Sequence, residues 1–185
     1  RLQPRLGQPL DATEVGRVRT VLEDARRAGI SVVLDLHNYG RYAGTGPDGR
    51  RQVWRLGDPQ LPVRYLADVW GRLAGAFGGE PALTAYDVMN EPHDLPGGAT
   101  AWEAASRIAV DAVRRVDRRR TVLVPGYEWS HAAGWSRTHP HPWVQAPGVV
   151  YEAHQYFDAD GSGTYRQSYP ELARVMSPGP CSPAA

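Results

Sequence analysis

Lysine is absent from the 185 residues: all 21 basic side chains are arginine, set against 20 carboxylates for a formal net charge of +1. So even a balance gives no electrostatic reason to expect a nucleic acid or an acidic membrane as partner. The densest basic run, VRRVDRRR (113–120), closes a segment of helical periodicity. Cations there complement the helix dipole, so the run is read as a solvated helix end. Cysteine occurs once, at Cys181, which excludes an internal disulfide framework without fixing the compartment. No stretch approaches the roughly 18 apolar residues of a membrane span. No signal-peptide pattern is present either, but the chain opens at Arg1, so that silence says nothing about secretion. What remains is a composition of 42% hydrophobic and 22% charged residues, that of a globular chain long enough for one domain with a real core.

Helical and strand patterns alternate along it. Asp11 and Glu14 read as a capping box for a helix carrying Val15, Val18, Val21, Leu22 and Ala25, which Gly29 stops. The apolar run ISVVLDLH (30–37) is a strand, followed by a Gly/Arg-rich loop (40–57) and a second helix opened by Asp58-Pro59. LTAYDVMN (83–90) is the next strand. Thr100 and Glu103 predict another capping box, for the helix with Ile108, Ala109, Ala112, Val113 and Val116. Strands TVLVPG (121–126) and GVVYEAHQY (148–156) flank an aromatic loop. Strands separated by helices predict βαβ units, a parallel sheet and an α/β fold.

Each strand hands over to a polar or aromatic loop at its C-terminal end: HNYGRY, NEPHD, GYEWSH, HQYFDADG. In a parallel α/β fold those loops share one face, where chemistry collects. Period-2 alternation puts Asp35 and His37 on one side of their strand and aligns Glu152, His154 and Tyr156 on theirs. Asp35 and Glu152, deeper in the strands, read as hydrogen-bonded residues of an interior layer. His37, Asn90, Glu91, His154 and Tyr156 converge on the crevice and are the candidate site. A carboxyl shielded from water among ring donors and an amide suits general acid catalysis, which makes Glu91 the candidate acid. Tyr39, Tyr127, Trp129 and Trp135 offer flat faces for stacking sugar rings, with loop packing as the plain alternative.

In their order and spacing, DLHNYGRY, YDVMNEPHD, VLVPGYEWS and YEAHQYFDADGSGTY resemble successive strand ends of glycoside hydrolase family 5, the cellulase-type retaining glycosidases. The resemblance runs from residue 1 to about 172. It implies that the chain is part of a (β/α)8 TIM barrel, strands three to six, over residues 1–175, with an irregular Pro/Ser/Ala tail at 176–185. It also implies roles. Glu91 matches the general acid/base and Asn90 the residue bonding the sugar 2-hydroxyl. His37 matches the strand-three substrate histidine, and His154 and Tyr156 the strand-six pair, with Tyr156 beside the nucleophile. Trp129 is carried as a substrate-stacking residue. The expected substrate is a β-linked polysaccharide, most closely that of an endo-β-1,4-glucanase, with mannanase-type specificity as the alternative. No metal or organic cofactor is implied, secretion is the family's habit, and the complete protein is expected to be a monomer.

A retaining glycosidase needs two carboxylates about 5–5.5 Å apart. The family's nucleophile is a Glu in a strand-seven segment reading roughly GEFG, and no such segment occurs here. Glu171, after Pro170, starts what reads as the helix after strand six, and Glu152 lies too low on its strand. A (β/α)8 domain usually needs about 250 residues, so the chain is expected to be a fragment that alone hydrolyses no soluble β-glucan. Three rival readings stand beside this one. The six histidines make a metal site conceivable, with His139-Pro140-His141 the nearest pair, but no HxxxH spacing occurs. The segment from Asp158 resembles the start of a calcium loop, with Gly163 at its sixth place but Tyr169 at the twelfth. A non-catalytic carbohydrate-binding protein would keep the aromatics and lack a carboxylate.

Overall fold

The structure, a computed structural model, describes residues 1–156, 158, 163, 164, 168 and 170. Its elements in chain order are α1 (Ala12–Arg27), β1 (Val32–Asp35), β2 (Arg41–Thr45), β3 (Arg51–Arg55), α2 (Arg64–Phe77) and β4 (Leu83–Asp87). There follow α3 (Gly98–Val116), β5 (Thr121–Pro125), a 3-10 turn (Ala132–Gly134), α4 (Trp135–Thr138) and β6 (Val149–Glu152). The strands β1-β4-β5-β6 form one sheet in that order, every pair parallel. The expected βαβ arrangement is therefore present, with β4 and β5 in the middle and helices as the crossovers.

One face of the sheet is covered. Helices α2 and α3 lay Trp70, Leu73, Phe77, Trp102, Ala109 and Val113 on it, all buried, as their apolar stripes at helical spacing predict. Two of these residues tie helix to strand end. The Trp70 indole donates to the Val88 carbonyl at 2.9 Å and the Trp102 indole to the Pro125 carbonyl at 2.7 Å. A buried indole N–H requires such a partner, and here the partners fix the heights of β4 and β5 where their loops begin. The opposite face carries Asp35, Asp87 and Glu152, while Val33 and Val150 are 46% and 51% exposed.

Helix α1 begins as expected: the Asp11 side chain accepts from Glu14 N at 2.9 Å. Three other expectations are corrected. Residues 40–57 are not simply a loop but contain the antiparallel hairpin β2–β3, paired from Arg41↔Arg55 to Thr45↔Arg51. Asp58-Pro59 does not open α2. The Asp58 side chain accepts from Arg55 N at 2.7 Å, closing the turn after the hairpin, and the helix starts at Arg64. Thr100 and Glu103 are not a capping box either. Helix α3 starts two residues before Thr100, at Gly98, with Gly97 as its cap at φ +79, a left-handed conformation that suits glycine. The Glu103 carboxylate instead meets His139 Nδ1 at 2.8 Å.

The basic run also does more than solvate a helix end. Arg118 and Arg119 are exposed, but Arg120 donates to the carbonyls of Gly78, Leu83 and Glu80 and pairs with Asp117 at 2.8 Å. Arg114 reaches the carbonyls of Asp117, Arg120, Pro147 and Gly148. Together they stitch the bottom of the sheet. Burial disfavours the charge of Asp117, but the N–H groups of Arg119 and Arg120 and the Arg120 guanidinium outweigh it and hold its carboxyl well below the usual range. Glu171 and the 176–185 tail lie outside the described residues.

Candidate active site

The polar loops emerge together from the C-terminal ends of the sheet. Strand β4 runs into Val88, Met89 and Asn90, all buried, and Asn90 N donates to the Leu36 carbonyl at 3.1 Å. That bond ties the ends of β1 and β4. The backbone then turns sharply: Glu91 sits at φ +46, a left-handed conformation that non-glycine residues seldom adopt. The turn lifts the Glu91 side chain over the sheet, where Oε1 meets His154 Nδ1 at 2.7 Å.

The loop after Glu91 is clamped from several sides. His93 Nδ1 donates to the Glu91 carbonyl at 2.8 Å, and Leu95 N donates to the Tyr127 hydroxyl at 2.7 Å. Arg41 and Arg55, on the hairpin, both pair with Asp94 at 3.5 Å. The hairpin missed in the sequence thus helps fix the loop that carries Glu91.

His154 lies two residues past β6. Its position is set by backbone: its N–H donates to the Ser130 carbonyl at 2.8 Å, and Ala132 N donates to its carbonyl at 2.9 Å. The second ring nitrogen, Nε2, meets Glu152 Oε1 at 2.6 Å. The alternation that aligned Glu152 with His154 is therefore real, although the strand ends at Glu152. Burial opposes charge on the imidazole, but the hydrogen bonds to Glu91 and Glu152 and their charges outweigh it, so the His154 pKa is raised.

His37 repeats the pattern on β1. Its Nδ1 meets Asp35 Oδ2 at 2.6 Å, and the Tyr39 hydroxyl lies 3.3 Å from its Nε2. From there a row of rings crosses the crevice rim: His37 to Tyr39 at 5.4 Å, Tyr39 to His93 at 5.9 Å, and His93 stacked on Trp129 at 4.6 Å. Trp129 is 53% exposed, a flat apolar face turned to solvent. It lies in a run of three left-handed residues, Glu128, Trp129 and Ser130, at φ +55, +60 and +56. Ser130 secures that run by accepting from Gly126 N at 2.9 Å and donating to the Glu152 carbonyl.

Of the candidate residues, Glu91 and His154 are in direct contact, Asn90 is buried next to Glu91 in the chain, and His37 and Trp129 mark the two ends of the ring row. Tyr156 stands apart: it is 42% exposed, and among the described residues no hydrogen bond joins it to the Glu91–His154 pair. For two of the aromatics the alternative of loop packing has contacts to support it. Tyr127 turns its hydroxyl inward to Leu95 N. Trp135 packs against Trp143 and Tyr151 with centroids at 5.9 and 6.0 Å. Both are half-buried.

The rival metal pair also resolves differently. His139 is buried; its Nε2 accepts from Tyr127 N at 2.7 Å while Nδ1 faces Glu103. Among the described residues, no group of three or more His, Cys, Asp or Glu side chains is arranged to hold a metal ion. Asp158, the first residue of the calcium-like segment, accepts from Thr164 N at 2.8 Å. Most of that segment lies outside the described residues.

The model of the family described as Cellulase (glycosyl hydrolase family 5) matches residues 2–177. The manganese-dependent endoglucanase Eg5A of Phanerodontia chrysosporium is 28% identical over 184 residues, which is 95% of this chain and 45% of that protein. The endoglucanase Cel5A of Pseudomonas stutzeri, solved in complex with cellobiose, superimposes with a TM-score of 0.78 at 37% identity, covering 89% of this chain and 47% of that one. The endo-beta-1,4-glucanase Xac0029 of Xanthomonas axonopodis pv. citri gives 0.74 at 31% identity, covering 95% of this chain and 58% of that one. The chain spans about half the length of these relatives.

Proposed function

We propose, for a chain that belongs to glycosyl hydrolase family 5, that Glu91 is the acid/base of a retaining endo-β-1,4-glucanase. Its four-stranded parallel sheet is part of that family's (β/α)8 barrel. The observation that carries the reading is the placement of Glu91. It is a carboxyl in a strained left-handed turn at a strand end, held by one imidazole nitrogen. Left-handed residues cluster in these strand-end loops, at Tyr39, Glu91, Asp94 and Glu128 to Ser130, and Glu91 is the carboxyl among them that an imidazole holds; strained backbone of this kind collects at functional sites.

In this reading a β-1,4-linked glucan lies along the row from His37 to Trp129, with a sugar ring stacked on the indole and Asn90 bonding a 2-hydroxyl. Glu91 protonates the glycosidic oxygen as a second carboxylate attacks the anomeric carbon, breaking the glycosidic bond and forming a glycosyl ester. Glu91, now ionised, takes a proton from water, which displaces the ester and restores both carboxyl groups. His154 faces Glu91 throughout and stabilises its anionic form between the two steps. Glu152 is not the second carboxylate, because the His154 ring stands between it and Glu91. The names of the relatives, endoglucanases in each case, favour β-1,4-glucan over mannan.

The test is binding of cellotetraose by calorimetry, beside mannotetraose and laminaritetraose. A preference of about tenfold or more for cellotetraose is expected, equivalent to about 1.4 kcal/mol. Mannotetraose bound as well or better would transfer the reading to a mannanase. Any hydrolysis of carboxymethyl cellulose must fall by at least about 100-fold in Glu91→Gln; activity that survives it would remove Glu91 from the mechanism.

A further inference from the structure

Below the Glu91–His154 pair, three carboxyl groups meet on the uncovered face of the sheet. Asp35 and Asp87 are opposed residues in the β1–β4 register, and Glu152 approaches from β6. The outer two each give one oxygen to an imidazole: Asp35 Oδ2 to His37 Nδ1 and Glu152 Oε1 to His154 Nε2, both at 2.6 Å. Among the described residues, their other oxygens, Asp35 Oδ1 and Glu152 Oε2, are buried and find no hydrogen-bond donor. Asp87 lies between them, 5% exposed, with Oδ1 accepting from Met89 N at 3.3 Å. Of the neighbouring side chains, Glu152 acts on its carboxyl most strongly, ahead of Asp35. Two carboxyl groups can bond to each other only when one carries a proton, and buried polar atoms are rarely left without a partner.

We propose that Asp87 is a neutral carboxylic acid that donates to Glu152 Oε2 and thereby positions His154 against Glu91. The proposal rests on the reading of Glu91 as the acid/base and assigns Asp87 a positioning role, since it acts through two other side chains. Both Glu152 oxygens are then engaged, Oε2 by the Asp87 hydroxyl and Oε1 by the His154 N–H. The Glu152 carboxylate is fixed in plane, and the imidazole that leans on it presents Nδ1 to Glu91 in one orientation.

The surroundings of Asp87 agree with a proton there. Burial disfavours its charge, and the charges of Glu152 and Asp35 disfavour it further; together they raise its pKa against the single N–H of Met89. From β1 it faces Asp35 and from β6 Glu152. Its register partner on β5 is the uncharged Leu123. The imidazoles of His37 and His154 act on it only from behind Asp35 and Glu152. An aspartate that shares its site with two other carboxyls retains its proton for the reason any crowded carboxyl pair does: like charges at contact cannot all ionise.

The experiment follows the chain by NMR, with 13C-labelled carboxyl groups and 15N-labelled imidazoles, across pH 4 to 10. The expected result is an Asp87 carboxyl signal at the protonated position at pH 7. In Asp87→Asn, whose amide also donates, the His154 titration midpoint stays where it is. In Glu152→Gln, which removes the anion, that midpoint falls by about one pH unit or more. An Asp87 signal at the ionised position at pH 7 would overturn the proposal. So would an Asp87→Asn midpoint lowered by about a unit, the signature of a lost negative neighbour. The carboxyl signal is read on the unsubstituted chain, so it decides the matter even if a variant does not fold. None of these readings uses a sugar, so failure of cello-oligosaccharide binding would sink the glucanase reading while leaving this result intact, and the converse holds.

Discussion

His154 stands between two carboxylates, with Nδ1 2.7 Å from Glu91 and Nε2 2.6 Å from Glu152. An imidazole that donates to both sides is favoured in its charged form, which is why the His154 pKa is raised although burial opposes it. The sign of the linkage follows. Stability from a raised histidine is fully present below the unfolded value of 6.5 and is lost as pH rises through the folded value. His154→Phe, which strands both carboxylates, is expected to lower unfolding stability by about 1–3 kcal/mol. Urea unfolding should show a larger gap from the unsubstituted chain at pH 6 than at pH 9. A gap that widens with pH contradicts the ion-pair account.

His139 works in the opposite sense. Burial lowers its pKa, opposed by the hydrogen bond and charge of Glu103, and its Nε2 must stay unprotonated to accept from Tyr127 N. A lowered histidine makes the unfolded chain the better proton binder, so stability falls as pH drops below about 6.5. Because Tyr127 in turn holds the loop after Glu91, acid is expected to loosen that loop first. Hydrogen exchange at Leu95 N, measured at pH 7 and pH 5, should quicken more than exchange at Trp70 Nε1 once the intrinsic pH effect is removed. Equal changes at the two sites would refute the link.

Trp129 presents an exposed face stacked behind by His93 at 4.6 Å. Trp129→Ala removes the platform without touching the core. Cello-oligosaccharide affinity is expected to fall by about tenfold, or about 1.4 kcal/mol, with the unfolding midpoint unchanged. Calorimetric affinity that survives the substitution would show that the sugar does not lie on this ring.

Arg120 bonds three carbonyls at the bottom of the sheet and pairs with the buried Asp117. Arg120→Met keeps the aliphatic stem but leaves that carboxylate without its cation, a change expected to destabilise by about 3 kcal/mol. Urea unfolding checks the figure; a loss under about 0.5 kcal/mol would return the basic run to the status of a solvated surface.

The central strands were legible because they are largely apolar runs between helical segments: LTAYDVMN is buried almost throughout and forms β4 and its extension. The hairpin was not legible. In RYAGTGPDGRRQVWR the glycines and arginines mask the alternation, although Pro47-Asp48-Gly49 is a turn signal in its own right. Asp58 and Thr100 misled for a related reason. Each is a good capping residue, but Asp58 is taken by Arg55 N and Gly97 already turns the chain into α3. At the site, strand alternation placed Asp35 with His37 and Glu152 with His154. It could not show which ring nitrogen each carboxylate would take, or that Asp87 lies between them, because those facts depend on the register of β1, β4 and β6.

The most direct test of the account titrates cellotetraose into the chain carrying 15N-labelled histidine and tryptophan, following the His154 imidazole and the Trp129 indole. The account predicts that both signals move together and saturate at a single midpoint, since one sugar chain lies over the indole and reaches the carboxyl that His154 holds. A folded protein in which neither signal moves, or in which they move at unrelated concentrations, would contradict it.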